Sequence, residues 1–530
     1  MKIFFVSLGC DKNLVDSEQM LALLLRDGHT ITDDESEADV IVINTCCFIG
    51  DAKEESIEAI LEYAKYKESN CKALIVAGCL ATRYKDEILE EIPEIDAIIG
   101  TTSTDKIVEA IDSALKGQET KIFDDINRLP MIEEKRVTST GGYYEYLKIS
   151  EGCDKHCTYC IIPKVRGNYR SYPMDYLVKQ AEQLAESGVK ELILVGQEVT
   201  MYGVDLHKGR GKGKKRLAEL ISKLAKVDGI EWIRLLYCYP EEIDNDLIEA
   251  MRTEPKVVRY IDMPVQHVSD SILHMMGRNM TESKILKTIK KLRNAMPDIC
   301  IRTTLITGFP GETEYDFNVL KDFVNEQYID RLGIFTYSEE EGTPAAKFTQ
   351  KVPEEVKQQR KDALMALQQE VSKKINKGFV GQKMTVIIDG YLPEDDVYVA
   401  RSYRDAPNVD GNVFITLNEN ELPEVGKTIY AFTSSASPGG KGINQAIGVS
   451  RLGMDVTLIG KVGDDYDSAV ILNLLKEEGV NTQAIGQMKN QIGGKAYIYV
   501  PKDAESTITI VPGANQFLTD EDIESSYFQF

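Results

Sequence analysis

Three cysteines carry the strongest chemical signal in the chain. They follow a predicted strand with the spacing CxxxCxxC, and we call them the loop triad: Cys153, Cys157 and Cys160. Three thiolates on one tight loop can ligate three irons of a cubane iron–sulfur cluster and leave the fourth iron without a protein ligand. That iron can bind the amino and carboxylate groups of S-adenosylmethionine, and an electron from the reduced cluster can then release a 5′-deoxyadenosyl radical. The spacing therefore predicts radical chemistry.

The alternatives for the loop triad are a structural zinc site and simple packing of buried thiols. A tetrahedral zinc needs a fourth nearby cysteine or histidine. His156 lies inside the loop, but it stands too close to Cys157 for comfortable ligation of one ion by both residues. We therefore favour the cluster.

Three further cysteines each come directly after a predicted strand, and we call them the strand-end triad: Cys10, Cys46 and Cys79. The carboxyl ends of parallel strands converge on one crevice, so cysteines far apart in the sequence can meet there. The strand-end triad could hold a second cluster in this way, although small cysteines also pack at strand ends without any ligand. The remaining cysteines have no partners in the pattern, and we expect core or surface positions for them: Cys47, Cys71, Cys238 and Cys300.

Two regions of alternating strand and helix must position these triads. Residues 1–135 alternate in a way that indicates a parallel sheet with helices on its faces, with strands expected at 3–8, 40–44 and 73–77 and a first helix at about 16–26. Residues 143–370 contain six strand–helix units, which predict an open or partial (β/α)6 barrel with its chemistry at the carboxyl ends of the strands. The six strands are expected at 146–149, 191–195, 232–236, 258–263, 301–307 and 331–336.

Two further patterns follow the predicted barrel. Residues 378–425 contain short β runs separated by Pro, Asp and Asn turns, which indicates a small all-β module. Residues 426–530 return to an α/β pattern that begins with a Gly-rich stretch. The predicted fold class is therefore α/β with four consecutive parts.

Polar residues and glycines after two barrel strands are candidates for binding the cofactor. The residues expected to contact S-adenosylmethionine are Gly196, Gln197, Glu198, Thr304 and Gly308. The loop with the first three would face the cluster, and glycine allows backbone to approach a ligand closely. Ordinary βα turns would explain the same residues. His267 ends another strand and is as easily a satisfied loop residue as a substrate contact.

Composition narrows the class of protein. The chain has 530 residues, which suggests two to four domains, and a formal net charge of −23. Such acidity argues against a nucleic-acid coat or a membrane-surface protein. The amino terminus has no leader pattern, and no stretch approaches the ~18 apolar residues of a membrane span, so we expect a cytoplasmic protein with reduced thiols. A basic run at 208–216 suits a solvated loop better than a contact with RNA.

The loop triad and its surroundings resemble the methylthiotransferase branch of the radical SAM superfamily. The stretches that carry the resemblance are Cys153–Pro163, Arg166–Gly167 and Arg170–Ser171. The resemblance implies two [4Fe–4S] clusters, the second one on the strand-end triad, and two molecules of S-adenosylmethionine. One would methylate sulfur held at the second cluster, and the other would yield the radical. It also implies a reductant such as flavodoxin or ferredoxin.

Members of this branch modify either a tRNA adenosine or an aspartate β-carbon of ribosomal protein S-twelve. Residues 378–424 resemble a TRAM module and contain three basic and nine acidic residues, a net charge of −6. An acidic surface would repel phosphate and attract a basic ribosomal protein. The stretches Pro264–His267, Tyr337–Thr343 and Asp405–Gly411 also resemble the enzymes that modify the ribosomal protein. We therefore expect that protein to be the substrate, with tRNA as the alternative and nucleic acid unlikely.

The carboxyl-terminal part resembles ribokinase and its sugar-kinase relatives. The resemblance lies in Ser437–Ala446, Arg451–Gly453 and Ile459–Asp465. The Gly-Ala-Gly-Asp stretch that carries the catalytic base of such kinases does not occur, so we expect an incomplete domain without kinase activity. A sugar-binding or bifunctional protein is the third hypothesis.

Overall fold

The structure is a computed structural model, and it describes residues 1–206, 213–392, 397–415, 441–499, 507–511, 513–519 and 522–523. The chain divides into two compact units. One consists of Met1–Asp389 with Ala400–Val413, and the other of Gly390–Val399 with Phe414–Phe530.

The first unit begins with a parallel sheet of six strands in the order β2-β1-β3-β4-β5-β6. The strands are β1 (Lys2–Ser7), β2 (Thr30–Thr32), β3 (Val40–Thr45), β4 (Ala73–Gly78), β5 (Ala97–Ile99) and β6 (Thr120–Ile122). The central strands β3 and β4 are buried along their whole length, as expected for parallel strands covered on both faces. The sequence predicted the three longer strands and missed the three-residue ones.

Four helices accompany this sheet: α1 (Asp11–Arg26), α2 (Gly50–Ala64), α3 (Cys79–Glu91) and α4 (Ile107–Leu115). Helix α1 begins directly after Cys10, five residues before the predicted start at Asp16. The polar residues Lys12 and Asn13 are buried in this first turn. Nothing local in the sequence shows that residues far away in the chain cover them.

A second parallel sheet has the order β14-β13-β12-β11-β10-β7. Its strands are β7 (Tyr144–Lys148), β10 (Glu191–Val195), β11 (Trp232–Leu235), β12 (Val257–Asp262), β13 (Cys300–Thr307) and β14 (Arg331–Thr336). A short antiparallel pair, β8 (Ser150–Glu151) with β9 (Arg170–Ser171), follows β7. The prediction of six parallel strands in an open barrel is confirmed.

Helices follow the barrel strands and cover the outer face of the sheet. They are α5 (Ile162–Arg166), α6 (Met174–Glu186), α7 (Leu217–Leu224), α8 (Asn245–Thr253), α9 (Asp270–Met275), α10 (Glu282–Ala295), α11 (Glu314–Gln327) and α12 (Glu354–Lys377). The inner face carries a separate apolar cluster that includes Tyr146, Val195 and Tyr260. Val15 of α1 packs into this cluster, so the amino-terminal part of the unit closes over the barrel.

The segment Ala400–Val413 covers the opposite end of the barrel, where the strands begin. Arg401 donates to Glu191 at 2.7 Å, and Arg404 donates to Asp330 at 2.7 Å. The hydroxyl of Tyr260 donates to Asp410 at 2.6 Å.

These contacts correct one part of the charge argument. Three charged residues of the module are buried and form ion pairs inside the unit: Arg401, Arg404 and Asp405. Their partners are far away in the sequence, so no local pattern could indicate these pairs. They do not contribute to a docking surface. Asp389 and Asp410 are also paired inside the unit, with Arg401 and Arg302. The remaining six acidic residues of the module lie outside the described residues: Glu394, Asp395, Asp396, Glu419, Glu421 and Glu424.

A small sheet has the strand order β15-β16-β17, with β15 (Val386–Leu392), β16 (Val397–Ser402) and β17 (Val413–Ile415). The second unit continues with α13 (Lys441–Arg451), β18 (Gly460–Val462), α14 (Tyr466–Glu477), β19 (Ile485–Gln487), β20 (Lys495–Tyr499) and β21 (Thr507–Val511). Strands β18 and β19 are parallel, and β20 and β21 are antiparallel. The predicted Gly-rich stretch 437–440 and the basic residues 208–212 lie outside the described residues.

Single turns of 3₁₀ helix occur at Glu35–Glu37, Lys65–Glu68, Thr104–Lys106, Pro240–Glu242, Ala345–Lys347 and Gly513–Phe517. Within the described ranges, no helix has both the length and the apolar character needed to span a bilayer.

Candidate iron–sulfur site

The strand-end triad gathers where three neighbouring strands of the first sheet end. Cys10 precedes α1, Cys46 follows β3, and Cys79 begins α3 directly after β4. Burial, together with the nearby sulfurs of Cys79 and Cys10, raises the pKa of the Cys46 thiol to about 12. Burial also raises the pKa of Cys79, which lies close to Cys10 as well. The three cysteines are therefore mutual neighbours, as the strand positions predicted.

Two glycines with left-handed backbone make this approach possible. Gly9 has a φ of +88°, and a Cβ added there would lie 2.6 Å from the Cβ of Cys46. Gly78 has a φ of +94°, and its added Cβ would lie 2.6 Å from the carbonyl oxygen of Thr45. Real Cβ atoms do not approach so closely, so glycine is required where the strand ends meet.

The loop triad lies between β8 and α5, beside the carboxyl end of β7. The amide of Cys153 donates to the carbonyl of Gly167 at 3.1 Å, and the amide of Cys160 donates to the carbonyl of Cys157 at 3.1 Å. Burial raises the pKa of Cys153 to about 12, and it raises that of Cys160, which Cys157 and Cys153 raise further. The tight loop thus brings together two buried thiols, Cys153 and Cys157, and the partly exposed Cys160.

The donor set of each triad fits an iron–sulfur cluster. A buried thiol with a raised pKa stays protonated near neutral pH unless a cation compensates the charge of the thiolate. Across the described part of the chain, no group of three or more Cys, His, Asp or Glu side chains is arranged to hold a single metal ion. A cubane cluster places a separate iron under each thiolate, so its ligands stand further apart than those of one ion.

A buried ion network connects the two triads. Arg166, which follows the loop triad, donates to Asp16 of α1 at 2.7 Å and to Asn13 at 2.9 Å. Its guanidinium also lies 3.3 Å from Glu151, and Lys148 contacts both Asp16 and Glu151. Although burial opposes ionisation, Lys148 and Arg166 hold the pKa of Glu151 at about 2.

Arg166 also acts on the charge of the strand-end triad. It favours the thiolate forms of Cys79 and Cys46, which counteracts the effect of burial on the pKa of each thiol. The nearby Cys79, Glu151 and Asp16 raise the pKa of Arg166 in spite of its burial. Arg166 therefore offsets negative charge at the strand-end triad, although in the sequence it closely follows the loop triad.

A second contact joins the start of α1 to the end of β11. Tyr237 adopts a left-handed backbone with a φ of 59°, which is a strained conformation for a bulky residue. Its hydroxyl donates to Asp11 at 3.2 Å, and the ammonium of Lys12 lies 3.3 Å from the centre of its ring. The residues beside Cys10 thus face the carboxyl end of the barrel.

The three residues predicted after β10 lie beside the loop triad. The side-chain amide nitrogen of Gln197 donates to Glu151 at 3.0 Å, and the side-chain oxygen Oε1 is buried without a partner among the described residues. Glu198 accepts the amide of Thr200 at 3.0 Å, while its second carboxylate oxygen is also buried and unpartnered in that part of the chain. Burial raises the pKa of Glu198 to about 8. Gly196 leaves no space for a Cβ against Ser150.

The residues predicted on and after β13 have partners within the protein. The amide of Gly308 donates to Glu312 at 2.6 Å, and Gly308 packs under the side chain of Lys357. Thr304 is half-buried, with its hydroxyl 3.4 Å from the guanidinium of Arg302. Gly308 is therefore enclosed by α12.

His267 is a buried loop residue. Its Nδ1 accepts the amides of Val268 and Ser269, both at 3.0 Å. Burial lowers its pKa to about 3, so it is neutral. Its Nε2 lies 3.8 Å from the carboxylate of Glu312, the pKa of which burial raises to about 7. This arrangement favours the structural interpretation over a substrate contact.

The sequence analysis expected core or surface positions for the four cysteines outside the triads. All four are buried: Cys47, Cys71, Cys238 and Cys300. Sequence reasoning missed the ion network of Arg166, Asp16, Glu151 and Lys148. The one available signal was the position of Arg166 close behind the loop triad, since its partner Asp16 is 150 residues away.

Comparison with known families matches four parts of the chain, of which the last two overlap at 410–432. Residues 2–100 match an uncharacterized protein family (UPF0004), residues 147–324 the Radical SAM superfamily, and residues 380–432 the TRAM domain. Residues 410–529 match the pfkB family of carbohydrate kinases.

Individual proteins match over most of the chain. The ribosomal protein uS12 methylthiotransferase RimO of Lachnoclostridium phytofermentans is 57% identical over 416 residues, which are 78% of this chain and 93% of that protein. The protein of the same name from Acetivibrio thermocellus is 48% identical over 425 residues, 79% of this chain and 93% of that protein. The solved structure of the radical S-adenosylmethionine methyltransferase TsrM from Kitasatospora setae is 13% identical, with a TM-score of 0.49, and the match covers 65% of this chain and 76% of that chain.

Proposed function

The chain belongs to the family of ribosomal protein uS12 methylthiotransferases, and from this premise we propose that its strand-end triad and loop triad hold the two [4Fe–4S] clusters of the reaction. The family is a radical SAM family, so the chain is a transferase that uses S-adenosylmethionine. Its substrate class is the ribosomal protein uS12, in which the family inserts a methylthio group at an aspartate.

The observation that carries this proposal is the ion network between the triads. Arg166 joins the loop that carries the loop triad to helix α1, which begins at the strand-end triad. Both triads lie in the same compact unit. Insertion of sulfur needs a sulfur source and a radical source that act on the same substrate carbon, so a fixed distance between the two triads supports this assignment.

The cluster on the loop triad supplies, when bound, the electron that cleaves S-adenosylmethionine to a radical. The chain's own residues hold and shield this site. The loop after β10 presents two buried side-chain oxygens, on Gln197 and Glu198, that have no partner in the described part of the chain, and we assign them to the amino group of S-adenosylmethionine. Thr304 and Gly308 remain proposed contacts to the same cofactor, and Gly196 remains a proposed backbone contact.

Several further assignments belong to the proposal. We place the amino-terminal iron–sulfur domain at 1–135, the radical SAM domain at 143–370, the TRAM-like module at 378–425 and the ribokinase-like segment at 426–530. The reductant is a small electron carrier such as flavodoxin or ferredoxin, and the enzyme acts in the cytoplasm, where its substrate is made.

The test is an anaerobic reaction of the reconstituted chain with S-adenosylmethionine, a reductant and uS12. We expect one aspartate-containing peptide of uS12 to gain the mass of a methylthio group in place of one hydrogen, as measured by mass spectrometry. Replacing the loop triad with alanine should abolish both this gain and the formation of 5′-deoxyadenosine. Replacing the strand-end triad should abolish the gain while 5′-deoxyadenosine still forms.

The same samples test the alternative substrate. A thiomethyl group found on tRNA adenosine instead of uS12 would contradict the proposed substrate. Insertion that persists without the strand-end triad would contradict the proposed role of that triad.

A further inference from the structure

Arg278 is a buried cation that the assignments above do not use. It stands in the loop between α9 and α10, and this loop packs directly on the loop triad. The amide of Thr158 donates to the carbonyl of Met276 at 2.9 Å. Gly277, with a φ of +71°, leaves no space for a side chain, because an added Cβ would lie 2.9 Å from the carbonyl oxygen of His156. The position of Arg278 is therefore fixed relative to the loop triad.

The guanidinium of Arg278 is only partly satisfied. Its side chain is 1% exposed. One terminal nitrogen contacts the carboxylate of Glu241 at 3.2 Å and the carbonyl of Pro264 at 3.3 Å. The Nε and the other terminal nitrogen are buried and have no hydrogen-bond partner within the described part of the chain. Buried donors left unpaired are costly, so these two N–H groups indicate a missing acceptor.

The surroundings show where the acceptor must lie. The guanidinium stacks 4.4 Å from the ring centre of Tyr239, and it lies within electrostatic range of Cys157, Cys160 and Tyr159. It favours the thiolate form of Cys160. Glu241 is its only carboxylate partner among the described residues, and Glu241 is also within 3.7 Å of Lys155. Because Arg278 shares this one carboxylate with Lys155, its positive charge is only partly compensated beside the loop triad.

We propose that Arg278 donates its two unpartnered N–H groups to sulfur atoms of the cluster on the loop triad and thereby stabilises the reduced cluster. This inference rests on the proposed function, which places a cluster on that triad. A cubane cluster with three thiolates is an anion, and reduction adds one more negative charge in a buried environment. Hydrogen bonds to sulfur and nearby positive charge both raise the reduction potential of such a cluster.

The test measures the reduction potential of that cluster alone. In the full chain with the strand-end triad changed to alanine, one cluster remains, and its reduction is followed by electron paramagnetic resonance at a series of fixed potentials. We expect Arg278→Gln to lower the ratio of reduced to oxidised cluster at a given potential by roughly tenfold, which is about 59 mV for a one-electron couple. Arg278→Lys keeps the charge but not the paired donors, so we expect a smaller decrease.

A matched control is Arg404→Gln, which removes an equally buried guanidinium at the opposite end of the barrel. This variant should leave the potential unchanged. If both Arg278 variants bind iron normally and keep the potential, the inference is wrong. If they instead lose affinity for S-adenosylmethionine at an unchanged potential, the acceptor is the carboxylate of that cofactor, and the inference is again wrong.

Failure of the proposed function is distinguishable from failure of this inference. If the protein with intact Arg278 and no strand-end triad binds no iron, the loop triad does not hold a cluster. Should Arg278→Gln fail to fold, Arg278→Lys decides the question through the same titration.

Discussion

The guanidinium of Arg166 lies 2.7 Å from the carboxylate of Asp16, and these two residues come from the chain stretches that carry different triads. Both side chains are 2% exposed. The pair therefore fixes the relation between the loop triad and the strand-end triad in a place where water cannot compete for either charge.

We predict that Arg166→Gln destabilises the first unit by about 3–5 kcal/mol, because it removes one member of a buried ion network and leaves Asp16 and Glu151 undercompensated. Urea unfolding of the metal-free chain measures this change in the free energy of unfolding. Arg252→Gln is the control, since Arg252 forms an exposed pair with Glu249 and its loss should leave the unfolding midpoint unchanged. Equal effects of the two substitutions would contradict the importance of the network.

Gly9→Ala should remove iron from the strand-end triad, because the new methyl group would collide with Cys46. Gly28→Ala is a matched control with a similar φ of +85° and no atom within 4 Å of the added Cβ. The control carries the backbone strain of a left-handed alanine, about 1 kcal/mol, without the collision. Anaerobic iron analysis should show a loss in the first variant alone. A full iron content in Gly9→Ala would show that Cys46 does not need its present position.

Combined replacement of Cys10, Cys46 and Cys79 with alanine should reduce the bound iron from about eight to about four atoms per chain. The change reflects the loss of one cluster with the other intact. Iron and sulfide counting after anaerobic reconstitution measures it. Cys47→Ala is the control, because Cys47 is adjacent to Cys46 in the sequence but packs in the apolar core. This variant should keep the full iron content. A content that stays near eight would place the second cluster elsewhere.

Glu312→Gln should change how stability depends on pH. Burial raises the pKa of Glu312 from 4.5 to about 7, so the folded chain binds this proton more tightly than the unfolded chain does. The contribution of the protonated Glu312 to the free energy of unfolding is complete below pH 4.5 and is lost as the pH rises through 7. It amounts to at most about 3 kcal/mol, at 1.36 kcal/mol per pKa unit.

The measurement for Glu312 is the difference in free energy of unfolding between the original chain and Glu312→Gln from pH 4.5 to 8. The lowered pKa of His267 gives the opposite slope below pH 6.5 in both proteins, so its contribution largely cancels in the difference. A difference that does not vary with pH would show that the ion pair with Arg360 keeps Glu312 charged throughout.

Much of the barrel could be predicted from local patterns. The strands β10 and β14 have the predicted bounds, because an apolar run between clear turns is a local property. The start of α1 could not be predicted, because Lys12 and Asn13 are buried by residues far away in the sequence. The charges of Arg401 and Arg404 were misassigned to a surface for the same reason.

The sequence by itself determined the chemistry that we propose for this protein. The spacing of the loop triad is set within eight residues, and the strand-end triad follows three predicted strand ends, so both could be proposed as cluster ligands without a structure. Only the tertiary structure decided how the triads are connected and charged. Arg166 and Asp16 are 150 residues apart, Arg278 is more than a hundred residues from the loop triad, and pairing across such distances depends on which surfaces pack together. A buried charge is stable only beside its partner, and that partner is chosen by the fold as a whole.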